Sequence, residues 1–308
     1  MLTLGPPALV GGVYALCFPA QIRQIPVWGS VAAADAVQGA GAGGLDAATL
    51  TPACNMAADE LLKKLPATCR ILVRPPFVLA GDFSEAELDR LYRDAVLPVT
   101  RALWRSYFDH KPDAPVTIVV LRSEESYHAA AAALDGYEPV AYAGYTQRGK
   151  RRVVLNLATG QGTLAHELSH VLASFDFPDL PEWFDEGLAA LYEDAVFSED
   201  GLLLVGTSNW RLRILQDTLR QRVMPSLAAV VNSPEFRGEG EGLNYAVVRC
   251  FCQYLQERGL LAHFYRKFRS AIGDDLNGIA TLCDLLGVAS IEDIDRDFRT
   301  WVSQFDAR

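Results

Sequence analysis

Two histidines and a glutamate lie close together in the stretch TLAHELSHVLASF, which spans residues 163–175. Residues four apart on an α-helix lie one turn apart on nearly the same face, so His166 and His170 can point their imidazoles at one metal ion. Glu167 lies one position further round the helix, where a carboxylate can reach a water molecule and act as a general base. Because HExxH also occurs in helices that bind no metal, the stretch predicts a zinc site only if the chain supplies a third ligand.

The third ligand is predicted on a second helix, which carries several acidic residues. This helix follows a short Pro-rich turn in FPDLPEWFDEGLAALYED (177–194). Glu186 is followed by glycine and alanine residues, which we expect to let this helix pack closely on the HExxH helix. Close packing would bring the Glu186 carboxylate to within about 2 Å of a zinc ion held by His166 and His170. Three protein ligands leave the fourth position open for water, which is typical of catalytic zinc sites. The sequence therefore predicts one Zn²⁺ per chain.

In their order and spacing these two segments resemble the gluzincin metallopeptidases, and most closely the peptidase-MA-like group. In that group a P-x-W-x-x-E-G-x-A helix follows HExxH after a short turn, as LPEWFDEGLAALYE does here. The likeness is sharp over residues 160–194 and continues weakly through NYAVVRCFCQYLQERG (244–259). It is vague over residues 70–160 and absent before Thr51.

The resemblance implies hydrolysis of peptide bonds in a peptide or protein substrate, with zinc held by His166, His170 and Glu186. Glu167 would take a proton from water and pass it to the leaving amine. Related enzymes stabilise the oxyanion with a Tyr or His from a later helix, and Tyr245 is the candidate because it opens a predicted helix at the matching place. Packing in a helix–helix interface is an equally weighted interpretation of Tyr245.

Other residues around the motif have weaker assignments. Tyr192 and Tyr145 are secondary candidates for the oxyanion donor. Glu182 and Asp185 neighbour the predicted ligand, and each either orients a histidine or lies on a solvated helix face. Gluzincins lay the substrate along an edge strand beside the active-site helix, and the predicted strand over residues 141–146 has that position.

Three interpretations of the pattern compete. The first is an active zinc peptidase, the second is a catalytically degenerate zincin that serves as a binding or scaffold module, and the third is a helical structural protein without metal. The presence of three ligands and of Glu167 favours an active enzyme. We expect an endopeptidase, because the GxMxN-like motif with which aminopeptidases bind the substrate amine is absent.

The composition is that of a globular protein and disfavours two classes of partner. The 308 residues carry 28 Lys+Arg and 38 Asp+Glu, and the net charge of 28 − 38 = −10 disfavours both nucleic acid and anionic lipid as partners. The only basic cluster, RGKRR (148–152), is interpreted as a solvated hairpin turn. No P-loop, GxGxxG loop or GxSxG elbow is present, which removes the usual nucleotide-binding and serine-hydrolase classes. The sequence indicates no oligomeric state.

The six cysteines include no CxxC pair, so a cysteine zinc site is not expected. Cys54 and Cys69 flank a short helical stretch. They form either a disulfide, which requires an oxidising compartment, or two reduced and buried thiols.

Residues 1–45 are predicted to be a leader and linker. PALVGGVYALCFPA (7–20) resembles the apolar core of a signal peptide, but no Lys or Arg precedes it, and GAGAGG (39–44) is typical of a flexible linker. Export and a cytoplasmic location therefore both stay open. The apolar run is too short to span a membrane, and no stable membrane insertion is expected.

The remaining residues, 46–308, are predicted to form one peptidase domain of the α+β, zincin-like class. Residues 46–160 are expected to form a small α/β lobe with a mixed sheet and an edge hairpin, whose strands cover 141–146 and 151–158. Residues 161–308 are expected to form a mainly helical lobe, with the active site between the two lobes. Helices are predicted there at 163–175, 181–194, 209–221, 243–258, 260–271, 276–286 and 291–304, and a strand-like segment at 201–206.

Proline interrupts two stretches of the first lobe. Residues 70–82 contain Pro-Pro and are predicted to form one edge strand or two short strands. Residues 83–108 are predicted to form a helix that is capped by Ser84, with Glu87 three residues on, and that Pro98 kinks or splits.

Overall fold

All five strands of the main sheet come from the first part of the chain. The computed structural model describes residues 47–136, 143–160, 162–238 and 240–305. The strands are β1 (Arg70–Arg74), β2 (Phe77–Gly81), β3 (Val116–Leu121), β4 (Gly144–Gln147) and β5 (Arg152–Asn156), and their spatial order is β1-β2-β3-β5-β4. β2, β3 and β5 run parallel, whereas β1 and β4 pair antiparallel with their neighbours at the two edges. The chain is thus an α+β protein with the predicted mixed sheet and edge hairpin.

The central strands are buried on both faces because their sequences are almost continuous runs of apolar residues. FVLAG in β2 and VTIVVL in β3 are buried at every position, which is typical of parallel strands covered by helices on both sides. Successive side chains point to opposite faces of the sheet, so they separate into two hydrophobic clusters. The larger cluster includes Leu79, Ile118 and Val153, and the smaller includes Val78, Val119 and Val154.

Helices cover both faces of the sheet. On the smaller cluster lie α1 (Ala47–Lys64) and α4 (Glu124–Asp135). On the larger cluster lie α2 (Glu85–Leu91), α3 (Leu97–Ser106) and α5 (Gly162–Asp176). The larger cluster continues through α6 (Glu182–Leu191), α7 (Trp210–Arg220), α8 (Leu227–Val231), α9 (Glu241–Glu257), α10 (Leu261–Ala271), α11 (Ile279–Leu286) and α12 (Ile291–Gln304). Within the described ranges, no helix combines the length and the apolar content needed to cross a bilayer.

Both proline interruptions have the predicted effect. Pro75 and Pro76 connect β1 to β2, so that stretch contains two short strands. Ser84 forms a capping box with Glu87 at the start of α2. A π-helical turn (Tyr92–Val96) separates α2 from α3, and Pro98 is the second residue of α3.

Some elements differ from the sequence pattern. β6 (Ala195–Phe197) pairs with β7 (Leu204–Gly206) in a small second sheet, of which only β7 is predicted. The five-residue α8 is too short for a helical period to be recognised. α11 begins at Ile279 rather than at residue 276, because Gly278 adopts a φ of +81° directly before it.

Cys54 and Cys69 are free thiols buried in the smaller cluster, which is the second of the two interpretations of this pair. The predicted leader and linker (1–45) and residues 141–142 of the predicted edge strand lie outside the described residues.

Candidate metal centre

Three potential metal ligands meet on α5 and α6. His166 and His170 lie one turn apart on α5, and their Nε2 atoms are 3.0 Å apart. Oε2 of Glu186, on α6, lies 3.7 Å from Nε2 of His166 and 3.5 Å from Nε2 of His170. Ligand atoms about 2.0–2.1 Å from a tetrahedral zinc ion lie about 3.3–3.4 Å from one another. The three atoms therefore have the spacing that one such ion requires.

The two oxygens of the buried Glu186 carboxylate have different surroundings. Oε1 accepts a hydrogen bond from Nη2 of Arg237. Oε2 accepts none from the residues that the structure describes, although a buried acceptor without a partner costs about 1–3 kcal/mol. A cation between Oε2 and the two imidazoles would supply the missing partner. The residues present therefore fit a bound metal ion.

α5 and α6 run antiparallel, which gives each imidazole a second carboxylate. Nδ1 of His170 lies 2.7 Å from Oδ2 of Asp185, and Nδ1 of His166 lies 3.1 Å from Oε1 of Glu193. α6 ends at Leu191 rather than at residue 194, so Glu193 belongs to the turn after the helix. Each carboxylate thus lies at ion-pair distance from the Nδ1 side of one ring, and the two Nε2 atoms lie together near Oε2 of Glu186.

Glycines permit this arrangement, but not in the way that the sequence predicts. At Gly162, near the start of α5, an added Cβ would lie 2.1 Å from the carbonyl oxygen of Glu193, so α5 closely approaches the turn after α6 there. At Gly187 an added Cβ would lie 2.9 Å from Sγ of Cys252 and from the carbonyl oxygen of Val248, both on α9. The prediction that the residues after Glu186 pack on the HExxH helix is therefore wrong for Gly187, which faces α9.

Two more arginines bind the outer carboxylates. Arg148, from the turn between β4 and β5, binds Asp185. Arg211, in the first turn of α7, is buried and binds Glu193. Together with Arg237 on Glu186, they connect the centre to three separate parts of the chain.

The RGKRR cluster does form a hairpin turn, as predicted, but the turn is not simply solvated. In addition to the contact of Arg148, Lys150 Nζ and Arg152 Nη1 bind the same oxygen of Asp135 at 2.6 and 2.9 Å. Arg151, at a φ of +50°, lies 5.2 Å from the centre of the Phe175 ring.

The carboxylates attract positive charge to both imidazoles. Burial lowers the pKa of His170, but the charges of Asp185 and Glu186 outweigh burial and raise that pKa well above its ordinary value. Burial likewise lowers the pKa of His166, and Glu193 more than compensates, so the pKa of His166 is raised. A divalent cation carries the charge of two protons, and it can take the place of the protons that the carboxylates attract.

Glu167 lies beside the three ligand atoms without being one of them. Its carboxylate is buried, and Oε2 accepts a hydrogen bond of 2.6 Å from Oγ1 of Thr146 on β4. Glu167 also lines the cleft that contains His166 and His170. The role of Glu167 as a general base stays a prediction.

Tyr245 lies in the first half of α9 and also lines the cleft. Its ring packs on Phe236, in the segment between α8 and α9, with centroids 5.3 Å apart. The oxyanion role of Tyr245 stays a prediction. Burial and the nearby charge of Glu186 raise the pKa of Tyr245, so its hydroxyl stays protonated and can donate. The two secondary candidates have other partners, since the Tyr192 hydroxyl lies 2.5 Å from that of Tyr107 and the Tyr145 hydroxyl donates to Asp135.

The five predicted site residues are brought together in one cleft of about 1230 Å³. The cleft lies between the β4–β5 hairpin and the helices that follow it in the chain. Asp185 is buried beside His170, which is the predicted alternative of a carboxylate next to a histidine. Glu182 is exposed and pairs with Arg237, which is the predicted alternative of a solvated helix face. The predicted site residues in the cleft are His166, Glu167, His170, Glu186 and Tyr245.

Sequence reasoning missed the partners of these residues. Glu193 carries a weak signal, because it follows Glu186 by two helical turns and would share its face on a continuous helix. Arg211 and Arg237 carry no signal, because nothing in their local sequence distinguishes them from solvated arginines. Thr146 is predicted to lie on the edge strand, but its hydroxyl has no recognisable motif.

No protein-family model matches the chain, and no curated protein matches it at a significant level. Functional inference therefore depends on the geometry of the cleft.

Proposed function

We propose that this chain is a zinc-dependent peptidase, with His166, His170 and Glu186 as zinc ligands and Glu167 as the general base. The triangle of ligand atoms carries the proposal, because its edges of 3.0, 3.5 and 3.7 Å fit one tetrahedral ion beside a carboxylate that is not a ligand. The resemblance of the HExxH and PEWFDEGLA segments to gluzincins supports the same assignment. The α+β architecture is consistent with a zincin-like fold, which is part of the proposal.

Zinc bound at this centre would supply Lewis acidity toward a peptide carbonyl and a water molecule. Glu167 takes a proton from water while the water oxygen bonds to the carbonyl carbon. It then passes that proton to the amide nitrogen as the C–N bond breaks, which yields a carboxylic acid and an amine. Tyr245 donates a hydrogen bond to the negative charge that develops on the carbonyl oxygen.

An extended peptide is the proposed substrate, because the cleft follows the edge strand. Within the described residues β4 is the last strand of the sheet and pairs with β5. Gly144, Tyr145 and Thr146 of β4 line the cleft. Backbone pairing with an edge strand recognises the middle of a chain without needing a free terminus, and this supports an endopeptidase.

The test combines metal content with one isosteric variant. Protein purified without chelator is expected to contain about one zinc per chain, and Glu167→Gln is expected to keep this zinc because Glu167 is not a ligand. On a peptide library, Glu167→Gln is expected to lower the turnover by about 10²–10⁴-fold through loss of the base.

Each contrary result favours a different interpretation. A zinc content well below half an equivalent, with no uptake on dialysis against zinc, would contradict the metal centre. Bound zinc without any cleavage by the wild type would favour a binding or scaffold module. Equal cleavage by the wild type and Glu167→Gln would show that Glu167 is not the base.

A further inference from the structure

Thr146 connects the edge strand to the proposed general base. Its Oγ1 donates to Oε2 of Glu167 at 2.6 Å and lies 3.2 Å from the Glu167 carbonyl oxygen. Thr146 is half-buried near the end of β4, and the carboxylate that it binds is buried. The hydroxyl is therefore held between the strand and the helix that carries the HExxH residues.

The alternation of side chains along β4 explains why this residue faces the base. At Gly144 an added Cβ would lie 2.9 Å from Cγ2 of Thr163, so residue 144 faces α5. The intervening Tyr145 directs its hydroxyl to Asp135 instead. With a period of two, residue 146 returns to the face that covers α5.

We propose that Thr146 is a positioning residue, whose hydroxyl holds one oxygen of Glu167 and leaves Oε1 to accept and return the proton. The proposal rests on the proposed peptidase function and adds the strand to the catalytic apparatus. A glutamate side chain has several rotatable bonds, and a base works only within hydrogen-bond reach of the proton that it takes. Because Thr146 also belongs to the strand that receives the substrate, substrate pairing and the orientation of the base share one element.

The first test is Thr146→Val, which keeps the branched shape and removes the donor. We expect kcat to fall by about 10–100-fold, because a displacement of about 1 Å can cost about 100-fold in rate. KM is expected to stay within about twofold and zinc content to stay unchanged, because the Thr146 side chain is bonded to Glu167 and to no zinc ligand.

Two control variants separate positioning from a general loosening of the fold. Thr146→Ser retains the hydroxyl and is expected to recover most of the lost kcat. Ser174→Ala removes a hydroxyl from α5, the helix that carries Glu167. There the Ser174 hydroxyl donates to the carbonyl oxygen of Val171, and its loss is expected to leave kcat unchanged. Equal losses in Thr146→Val and Thr146→Ser, or an unchanged kcat in Thr146→Val, would overturn the proposal.

A measurement without activity completes the test. In metal-free protein, a double-mutant cycle of Thr146→Val and Glu167→Ala by urea unfolding is expected to be non-additive, because each change removes the same hydrogen bond. An additive cycle overturns the proposal even if the enzyme is active. If Glu167→Gln is as active as the wild type, the proposed function itself fails and the proposal fails with it. An inactive Glu167→Gln beside a fully active Thr146→Val overturns the positioning role alone.

Discussion

Two buried carboxylates on the α5–α6 pair differ in how the protein surrounds them. At the end of α5, Asp176 accepts hydrogen bonds from the backbone N–H groups of Asp109 and His110 on Oδ1, both at 2.8 Å. Its Oδ2 accepts from the Tyr265 hydroxyl at 3.0 Å and from Arg269. In the cleft, Glu186 also binds one arginine, but its Oε2 receives no hydrogen bond from the described residues.

The difference separates a structural carboxylate from one that fits a metal ion. Asp176 has donors on both oxygens, so its burial is compensated within the protein. Glu186 has donors on one oxygen only, and the other lies between two imidazole nitrogens. The contrast teaches that an incompletely satisfied buried carboxylate, more than burial or charge, distinguishes the candidate metal centre from the rest of the core.

The largest expected effect is on zinc affinity. Glu186→Gln keeps the shape of the side chain and removes its charge, and we expect zinc to bind at least about 100-fold more weakly, since loss of an outer-shell partner alone costs about 10–100-fold. Competition with a chromogenic chelator measures the affinity.

Glu182→Gln is the matched control for this change. Glu182 lies on the same helix and binds the same Arg237 at 2.8 Å, but it is exposed and is not one of the three grouped ligands. It is expected to change zinc affinity by less than about threefold, below the range of an outer-shell partner. Similar losses in both variants would mean that Arg237, rather than a ligand carboxylate, governs the affinity.

A smaller effect is expected on stability. Asp176→Asn replaces one acceptor oxygen by a donor that meets the N–H groups of Asp109 and His110 or the guanidinium of Arg269. We expect the free energy of unfolding to fall by about 2–4 kcal/mol, as for a buried charge that loses its partners. Urea unfolding measures the change.

Asp109→Asn is the control, because Asp109 binds the same Arg269 with a side chain that is 59% exposed. An exposed pair contributes about 0–1 kcal/mol, so this variant is expected to unfold close to the wild type. If both variants lost the same free energy of unfolding, the hydrogen bonds on both oxygens of Asp176 would not explain its contribution to stability.

The smallest expected effect is a change of stability with pH. Burial raises the pKa of Asp176, but the His110 backbone N–H and Arg269 outweigh burial and hold that pKa below its ordinary value. An acid with a lowered pKa in the folded state stabilises the fold above its unfolded pKa of about 3.9, and this contribution is lost as the pH falls through the folded value. The wild type is therefore expected to approach Asp176→Asn in stability below about pH 4. Urea unfolding of both proteins at several pH values tests this, and a constant difference would contradict it.

The residues of the candidate centre are predictable because they follow from local geometry. His166, Glu167 and His170 share one helix, and their relative directions are set by 3.6 residues per turn. Glu186 follows on the next helix, after a turn too short to take it far away. The central strands are predictable for a similar reason, since continuous apolar runs such as VTIVVL favour buried parallel strands.

The partners of these residues are not predictable, because the contacts join distant parts of the chain. Thr146 and Glu167 are 21 positions apart, and Arg237 and Glu186 are 51 apart. No periodicity relates residues over such separations, and a surface arginine has the same local sequence as one that is buried on a carboxylate. The close approach at Gly162 is equally hidden, because it depends on where α6 ends.

The sequence alone determines that His166, Glu167 and His170 lie close together on one helix, because helix periodicity acts within a few residues. Only the tertiary structure determines which side chains these residues contact. Asp185 and Glu193 lie beside the imidazoles of His170 and His166, Arg237 binds one oxygen of Glu186, and Thr146 donates to Glu167. These contacts exist only after the sheet, the hairpin and the helices have packed, since each joins side chains from separate elements.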